Sequence, residues 1–224
     1  MKIGILGTGK TGRLLFELKN NDYEMVGFNS SNPLTLDNGH GLDCIISFLP
    51  SEIFNSYITL LIELRVPVVS GATGELDLIA MNKQVESANL TWIWGSNFSL
   101  SMVIIKEAFS QLKKLKQLDS KMSFKIHEVH HTQKKDAPSG TANSWNEWLD
   151  DSAVINSKRI GDVIGFHELT MDNQFEKMIF SHESLDRKLF AQGALWAAEF
   201  LMNEKLEYKI YYFDEIVKEF LEKT

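Results

Sequence analysis

The chain has 224 residues, 44% hydrophobic and 24% charged, which is the composition of an ordinary globular protein with enough length for one large domain or two small ones. Its formal charge of −7 gives no general attraction to nucleic acid or to an anionic membrane, so an anionic ligand needs a local basic site. A single cysteine, Cys44, excludes an intramolecular disulfide; no apolar run is long enough for a membrane helix; and Met1-Lys2-Ile3 enters a strand with no signal peptide, so a cytoplasmic protein is expected.

Residues 2–6 form a short apolar strand that runs into Gly7-Thr8-Gly9-Lys10-Thr11-Gly12, with Leu14, Leu15 and Leu18 following at helical spacing. Strand, G-x-G-x-x-G and helix together mark a dinucleotide site. Gly7 permits the tight turn, Gly9 admits a pyrophosphate against the backbone, and Gly12 seats the helix close on the strand. The helix N-terminus then offers free N–H groups to the phosphates. A second strand spans residues 23–28. It ends in Asn29-Ser30-Ser31-Asn32, without the acid that favours NAD or an arginine that favours NADP, so NADH and NADPH both stay open.

Residues 43–48 are an almost wholly apolar strand, as a buried parallel strand should be, and contain Cys44 as a small buried hydrophobe. Ser51 can cap the next helix, which carries Ile53, Tyr57, Leu60, Leu61 and Leu64 on one side. Residues 66–70 form a fourth strand ending in Gly71-Ala72-Thr73-Gly74, and residues 90–94 a fifth ending in Gly95-Ser96-Asn97-Phe98. Loops at the carboxyl edge of a parallel sheet hold ligands. Gly71, Ala72, Thr73, Ser96, Asn97 and Phe98 therefore join Gly7 to Gly12, Asn29 and Ser30 as expected cofactor contacts.

A helix of four to five turns starts at Ser99 or Ser101 and runs through Leu115, with Lys113, Lys114 and Lys116 solvated in its last turns. Beyond it the pattern becomes strand-rich: residues 122–131, 158–169 and 174–182 read as strands of an open sheet. From about Leu189 the chain turns helical and is expected to return to the first domain, with Trp145, Trp148 and Trp196 read as helix-packing or subunit-contact residues. The expected fold is α/β: a Rossmann-type doubly wound parallel sheet plus a smaller α+β domain with an open mixed sheet. Residues 1–98 with 188–224 form the dinucleotide-binding domain, and residues 99–187 the second.

Residues 128–142 carry the densest chemistry. His130, His131, Lys134, Lys135 and Asp136 leave a strand end, cross Pro138-Ser139-Gly140-Thr141, and meet the start of a helix. Met122, Phe124 and Ile126 alternate with Ser123, Lys125 and His127 in the preceding strand. An adjacent histidine pair alone would more often be incidental or metal-binding. In a continuing strand the two rings point to opposite faces, so a shared metal is awkward and none is expected. Lys135 and Asp136 read as a surface pair, or Asp136 as a residue that shapes the loop. His131, Lys134, Ser139, Thr141 and a helix N-terminus offer a cationic, donor-rich pocket for an anion, and histidine suits proton donation near neutral pH.

The string from Glu128 to Ala142 resembles the signature of the 4-hydroxy-tetrahydrodipicolinate reductase family, formerly called dihydrodipicolinate reductases. Gly7 to Gly12, Gly71 to Gly74, Ser96 to Ser99, Arg159-x-Gly161-x-x-x-Gly165-x-His167 and His182-x-x-x-x-Arg187-x-x-Phe190-Ala191-x-Gly193-Ala194 match in the same order. The resemblance implies NADH- or NADPH-dependent reduction of a cyclic imine dicarboxylate. It also implies His130 as proton donor, Lys134 as second catalytic residue, His131 as substrate contact, and Gly140 and Thr141 as carboxylate grip. Residues 99–187 become the substrate-binding and tetramerisation domain of a homotetramer, with a hinge near Phe98 and Arg187. Arg159, His167, His182 and Arg187 are expected to build the second sheet, the substrate-side wall and the domain junction. Two departures stand out: residues 29–43 are shorter than usual, with Asn29 and Ser30 where an acid is common, and Ala72 replaces a frequent threonine. A non-catalytic nucleotide sensor would be expected to lack His130 or Lys134. A related reductase such as an amino-acid dehydrogenase would be expected to lack the Pro138 to Thr141 loop.

Overall fold

Short apolar strands with helices between them build the first unit, because strands buried on both faces need a helical crossover to run parallel. The computed structural model describes residues 1–18 and 21–223. In chain order the elements are β1 (Lys2–Leu6), α1 (Gly12–Leu15), β2 (Glu24–Phe28), α2 (Leu36–Gly39), β3 (Cys44–Ser47), α3 (Ser51–Glu63), β4 (Val68–Ser70), α4 (Leu78–Ser87), β5 (Trp92–Trp94), α5 (Leu100–Leu112), α6 (Leu115–Leu118), β6 (Ser123–His130), α7 (Gly140–Trp148), β7 (Ala153–Arg159), β8 (Phe166–Asp172), β9 (Lys177–Glu183), α8 (Lys188–Asn203), β10 (Ile210–Tyr212) and α9 (Phe213–Glu222). They divide into one unit of Met1–Leu100 with Lys188–Thr224 and a second of Ser101–Arg187.

The first unit holds a six-stranded sheet in the order β10-β5-β4-β3-β1-β2, parallel throughout. The register aligns the strand ends: Leu6 lies opposite Phe28 and Ser47, Ser47 opposite Ser70, Ser70 opposite Trp94, and Trp94 opposite Tyr212. The loops that follow β1, β3, β4 and β5 therefore leave from one edge. The sheet order reverses at β1, which has β2 on one side and β3 on the other, and such a switch point opens a crevice at the carboxyl edge. Beneath lies a core of Leu6, Phe28, Ile45, Phe54, Val68 and Trp92. Cys44 in β3 is fully buried, and burial pushes its thiol up to about 12, so it packs as a hydrophobe.

The second unit carries a four-stranded sheet, β7-β6-β8-β9, with β6 and β7 parallel and the remaining pairs antiparallel. Its inner face packs on α5 and α7 through Phe109, Phe124, Ile126, Trp145, Leu169 and Met171. Phe109 meets Trp145 edge-on at a centroid distance of 4.9 Å.

Several expectations change. Ser51 is the first helical residue of α3, not its cap: the cap is Pro50, and the Ser51 N–H bonds the Thr73 carbonyl at 3.1 Å. The buried stripe of α3 is Phe54 and Leu61, while Ile53 is exposed. The long helix after Ser99 breaks between Leu112 and Leu115. Its lysines are not merely solvated, since Lys113 pairs with Asp150 at 2.9 Å and Lys116 donates to the Ser152 carbonyl at 2.8 Å. The strand expected over residues 158–169 is two strands, separated by a turn with Gly161 at φ +51. β10 was not expected. Its three residues pair with β5 and extend the parallel sheet to a sixth strand.

Candidate functional site

Two groups of residues stand out, one in each unit. In the first, the loops at the carboxyl edge surround a cavity of about 300 Å³. Thr11 comes from the loop after β1, Phe48 and Pro50 from that after β3, Gly71 and Thr73 from that after β4, and Ser96, Asn97 and Phe98 from that after β5. The glycine turn fits a dinucleotide in two distinct ways. A Cβ on Gly12 would lie 1.9 Å from the Gly7 carbonyl oxygen, so only glycine lets α1 sit this close to β1. A Cβ on Gly9 would meet nothing within 4 Å, so the backbone there is open to a ligand. The Gly7 N–H bonds the Phe28 carbonyl at 2.9 Å, holding the turn between β1 and β2.

Asn29 and Ser30 are exposed just past β2. Asn29 Nδ2 donates to Thr8 Oγ1 at 3.2 Å, and its Oδ1 accepts the Ser31 and Asn32 N–H groups at 2.9 and 3.1 Å. Asn29 thus ties its own loop to the glycine turn. Lys10 is exposed, Ala72 is fully buried and accepts from Trp94 Nε1 at 3.1 Å, and Asn97 Oδ1 accepts the Ser99 N–H at 2.8 Å.

In the second unit, one face of the sheet changes character along its length. Phe124 and Ile126 on β6 give way to Glu128 and His130 on the same face. Arg159 on β7 lies opposite His130, and His167 on β8 lies opposite both Glu128 and His182. The apolar layer therefore ends in a polar one. Glu128 is its centre and is fully buried. Arg159 Nη1 donates to Glu128 Oε1 at 2.9 Å, the Ser139 N–H donates to the same oxygen at 3.3 Å, and His130 Nδ1 bonds Oε2. The other arm of Arg159 donates to the Asp136 carbonyl. Burial pushes the Glu128 carboxyl up, but hydrogen bonds from Ser157, Arg159 and His130 outweigh it and hold the group below the ordinary carboxylate range.

Burial lowers His130. The carboxylate of Glu128 opposes that shift, and the charges of Lys134 and Arg159 add to it. His167 is lowered to about 3, chiefly by burial and next by the charge of His130. Its ring stands edge-on to His130 at 5.1 Å, and its Nε2 bonds Ser139 Oγ at 3.0 Å. Glu128, His130 and His167 bring ligand-type atoms within 4.8 Å of one another, as a metal site would. The Arg159 guanidinium already holds the carboxylate, however, and its charge repels a cation.

A sequence model of the family described as dihydrodipicolinate reductase, C-terminus, matches residues 99–217. The 4-hydroxy-tetrahydrodipicolinate reductase of Christiangramia forsetii is 33% identical, over 91% of this chain and 93% of its own. The chain belongs to the 4-hydroxy-tetrahydrodipicolinate reductase family. The family's protein from Thermosipho africanus is 27% identical over 98% of this chain and 99% of its own. A structure titled dipicolinate-bound dihydrodipicolinate reductase, from Paenisporosarcina sp. TG-14, has the same fold. Its TM-score is 0.77 at 19% identity, covering 96% of this chain and 99% of that one. Membership of this reductase family makes the chain an oxidoreductase that works with a nicotinamide cofactor.

The residues of the family signature are distributed as follows. His130 is the last residue of β6 and is buried, while His131 begins the loop and is half-buried. Ser139 caps α7. Its hydroxyl accepts the Ala142 N–H at 3.1 Å, faces His167, and is almost wholly buried. Gly140 and Thr141 form the exposed and half-exposed first turn of α7. Lys134 pairs with Asp136 at 2.8 Å, so the expected pairing of Asp136 with Lys135 is corrected. The i, i+2 spacing across the loop brings those two together, and the ammonium of Lys134 holds the Asp136 carboxyl below its usual range. Sequence reasoning gave Glu128 no role. The signal was the alternation itself, which continues from Phe124 and Ile126 to Glu128 and puts a carboxylate at a core position.

The two glycines separate folding from binding. Gly9→Ala should leave the melting temperature unchanged, because a Cβ there meets no protein atom, yet weaken binding of NADH or NADPH about tenfold or more if the turn takes the pyrophosphate. Gly12→Ala should lower both. Thermal melts with and without cofactor check this, and undiminished binding by Gly9→Ala would remove the turn from the cofactor site.

Proposed function

We propose that this chain reduces 4-hydroxy-tetrahydrodipicolinate, with loss of water, to tetrahydrodipicolinate in the diaminopimelate route to lysine. The observation that carries this reading is the run from His130 to Thr141. A buried histidine, an ammonium group and the open start of a nine-residue helix are joined by one loop. That set suits a dicarboxylate that must also take up a proton.

The edge formed by Gly7 to Gly12, Asn29, Ser30, Gly71 to Thr73 and Ser96 to Phe98 binds NADH or NADPH in this proposal. Either cofactor suits a loop with neither an acid nor an arginine at Asn29 and Ser30. A reduced nicotinamide supplies the hydride from its C4. His130 gives the proton to the neighbouring carbon, and Lys134 is the second donor beside the substrate. His131 contacts the substrate. The backbone N–H groups of Gly140 and Thr141, with the Thr141 hydroxyl, hold one carboxylate, and Ser139 supports them as the cap of α7. Residues 1–98 with 188–224 serve as the dinucleotide domain, and residues 99–187 as the substrate and tetramerisation domain.

The homotetramer is part of the same proposal. It is supported by the outer face of the second sheet, where Val154 is 70% and Ile179 55% exposed. Cytoplasmic residence completes it. Among the described residues no helix is long and apolar enough to cross a membrane.

The test supplies NADH or NADPH together with substrate freshly made from pyruvate and aspartate semialdehyde, and follows the loss of nicotinamide absorbance. Oxidation with at least one cofactor is expected, and none from a folded preparation would overturn the proposal. His130→Gln and Lys134→Ala should each lower kcat by about 10²-fold or more while cofactor affinity stays near wild type. Sedimentation should give the mass of four chains, and a monomer would remove the tetramer.

A further inference from the structure

We infer that Glu128 is a positioning residue for His130: it takes the Nδ1–H and leaves Nε2 as the nitrogen that carries the transferable proton. The inference rests on the reading of His130 as proton donor and adds the group that makes that histidine usable.

The geometry carries it. Glu128 Oε2 bonds His130 Nδ1, and an ionised carboxylate can only accept, so the neutral ring is the Nδ1–H tautomer. Arg159 Nη1 at 2.9 Å and the Ser139 N–H at 3.3 Å both donate to Oε1, the Ser157 hydroxyl donates to the same carboxylate, and together they keep it ionised while its Oε2 bonds His130. At the other nitrogen there is room because residue 165 is glycine: a Cβ there would lie 3.1 Å from His130 Nε2.

The charges around the ring give Glu128 a second task. Lys134 from the loop and Arg159 from β7 both disfavour a protonated His130, and His167 from β8 stands beside it. Glu128, on the same strand, is the negative group in contact with the ring. Without it the imidazolium would face two cations unbalanced. When the proton is delivered, the Nε2–H bond breaks and its electron pair stays on nitrogen. The new C–H bond forms with the pair that hydride addition leaves in the substrate ring. The imidazole returns to its Nδ1–H tautomer, still held by Glu128.

Glu128→Gln is therefore expected to lower kcat about tenfold or more at neutral pH, since each unit lost from the His130 pKa removes nine-tenths of the protonated form. KM should change little, the basic limb of the kcat profile should move to lower pH, and acidification should restore much of the rate. Glu128→Asp, which keeps a carboxylate, should recover part of it. Long-range proton–nitrogen NMR of the unaltered protein reads the tautomer directly, so the inference stays testable if Glu128→Gln does not fold. Neutral His130 should carry its proton on Nδ1. A proton on Nε2 instead, or a Glu128→Gln loss equal at every pH, would overturn the assignment. Failure of the underlying reading looks different: His130→Gln would keep the wild-type kcat, whatever the NMR showed of Glu128.

Discussion

A fully buried carboxylate is tolerated only where fixed donors replace its water, and Glu128 sets that condition for its surroundings. Four segments answer it. β7 brings Arg159, the start of α7 brings the Ser139 N–H, β6 itself brings His130, and the loop between them gives the Asp136 carbonyl to the second arm of Arg159. The loop over residues 131–139 is thus fastened at Asp136 and Ser139 by one ion pair. The Ile160 N–H, just past β7, also bonds the His130 carbonyl at 2.8 Å. A loop built this way can present His131, Lys134 and the first turn of α7 in fixed positions without a hydrophobic core of its own.

The edge of the parallel sheet solves a different problem with different means. Its requirements are steric rather than electrostatic: aligned strand ends, a turn tight enough to seat α1, and bare backbone at Gly9. A long polyphosphate-linked cofactor needs many backbone donors and close approach, which glycine provides. A small dicarboxylate that must be protonated needs few contacts, each charged and each held still. In the proposed function the two sets of residues serve those two kinds of ligand.

Much of this was legible in the sequence because it is local. Gly7 to Gly12 stands between a strand and a helix, and the strand before His130 alternates with period two. The parallel and mixed sheets of the α/β fold follow from those patterns. What escaped was non-local or marginal. Glu128 meets Arg159 across 31 positions of sequence, and nothing in either neighbourhood names the other. β10 has three residues and gains strand character only by pairing with β5. The strand read through residues 158–169 hid a break that depends on the left-handed backbone at Gly161. Lys134, not Lys135, reaches Asp136 because of loop geometry that charge alternation alone does not specify.

The central claim is that Glu128 is an ionised, buried carboxylate whose charge Arg159 balances. A double-mutant cycle of Glu128→Gln and Arg159→Met, followed by chemical unfolding, tests it most directly. Arg159→Met leaves the buried carboxylate without its cation and should cost about 3 kcal/mol, and Glu128→Gln leaves the half-buried guanidinium without its anion and should cost less, whereas removing both removes the mismatch. The account predicts that the double variant is more stable than the sum of the single losses by about 2 kcal/mol or more. Additive losses would contradict it, because the two groups would then be stabilised independently.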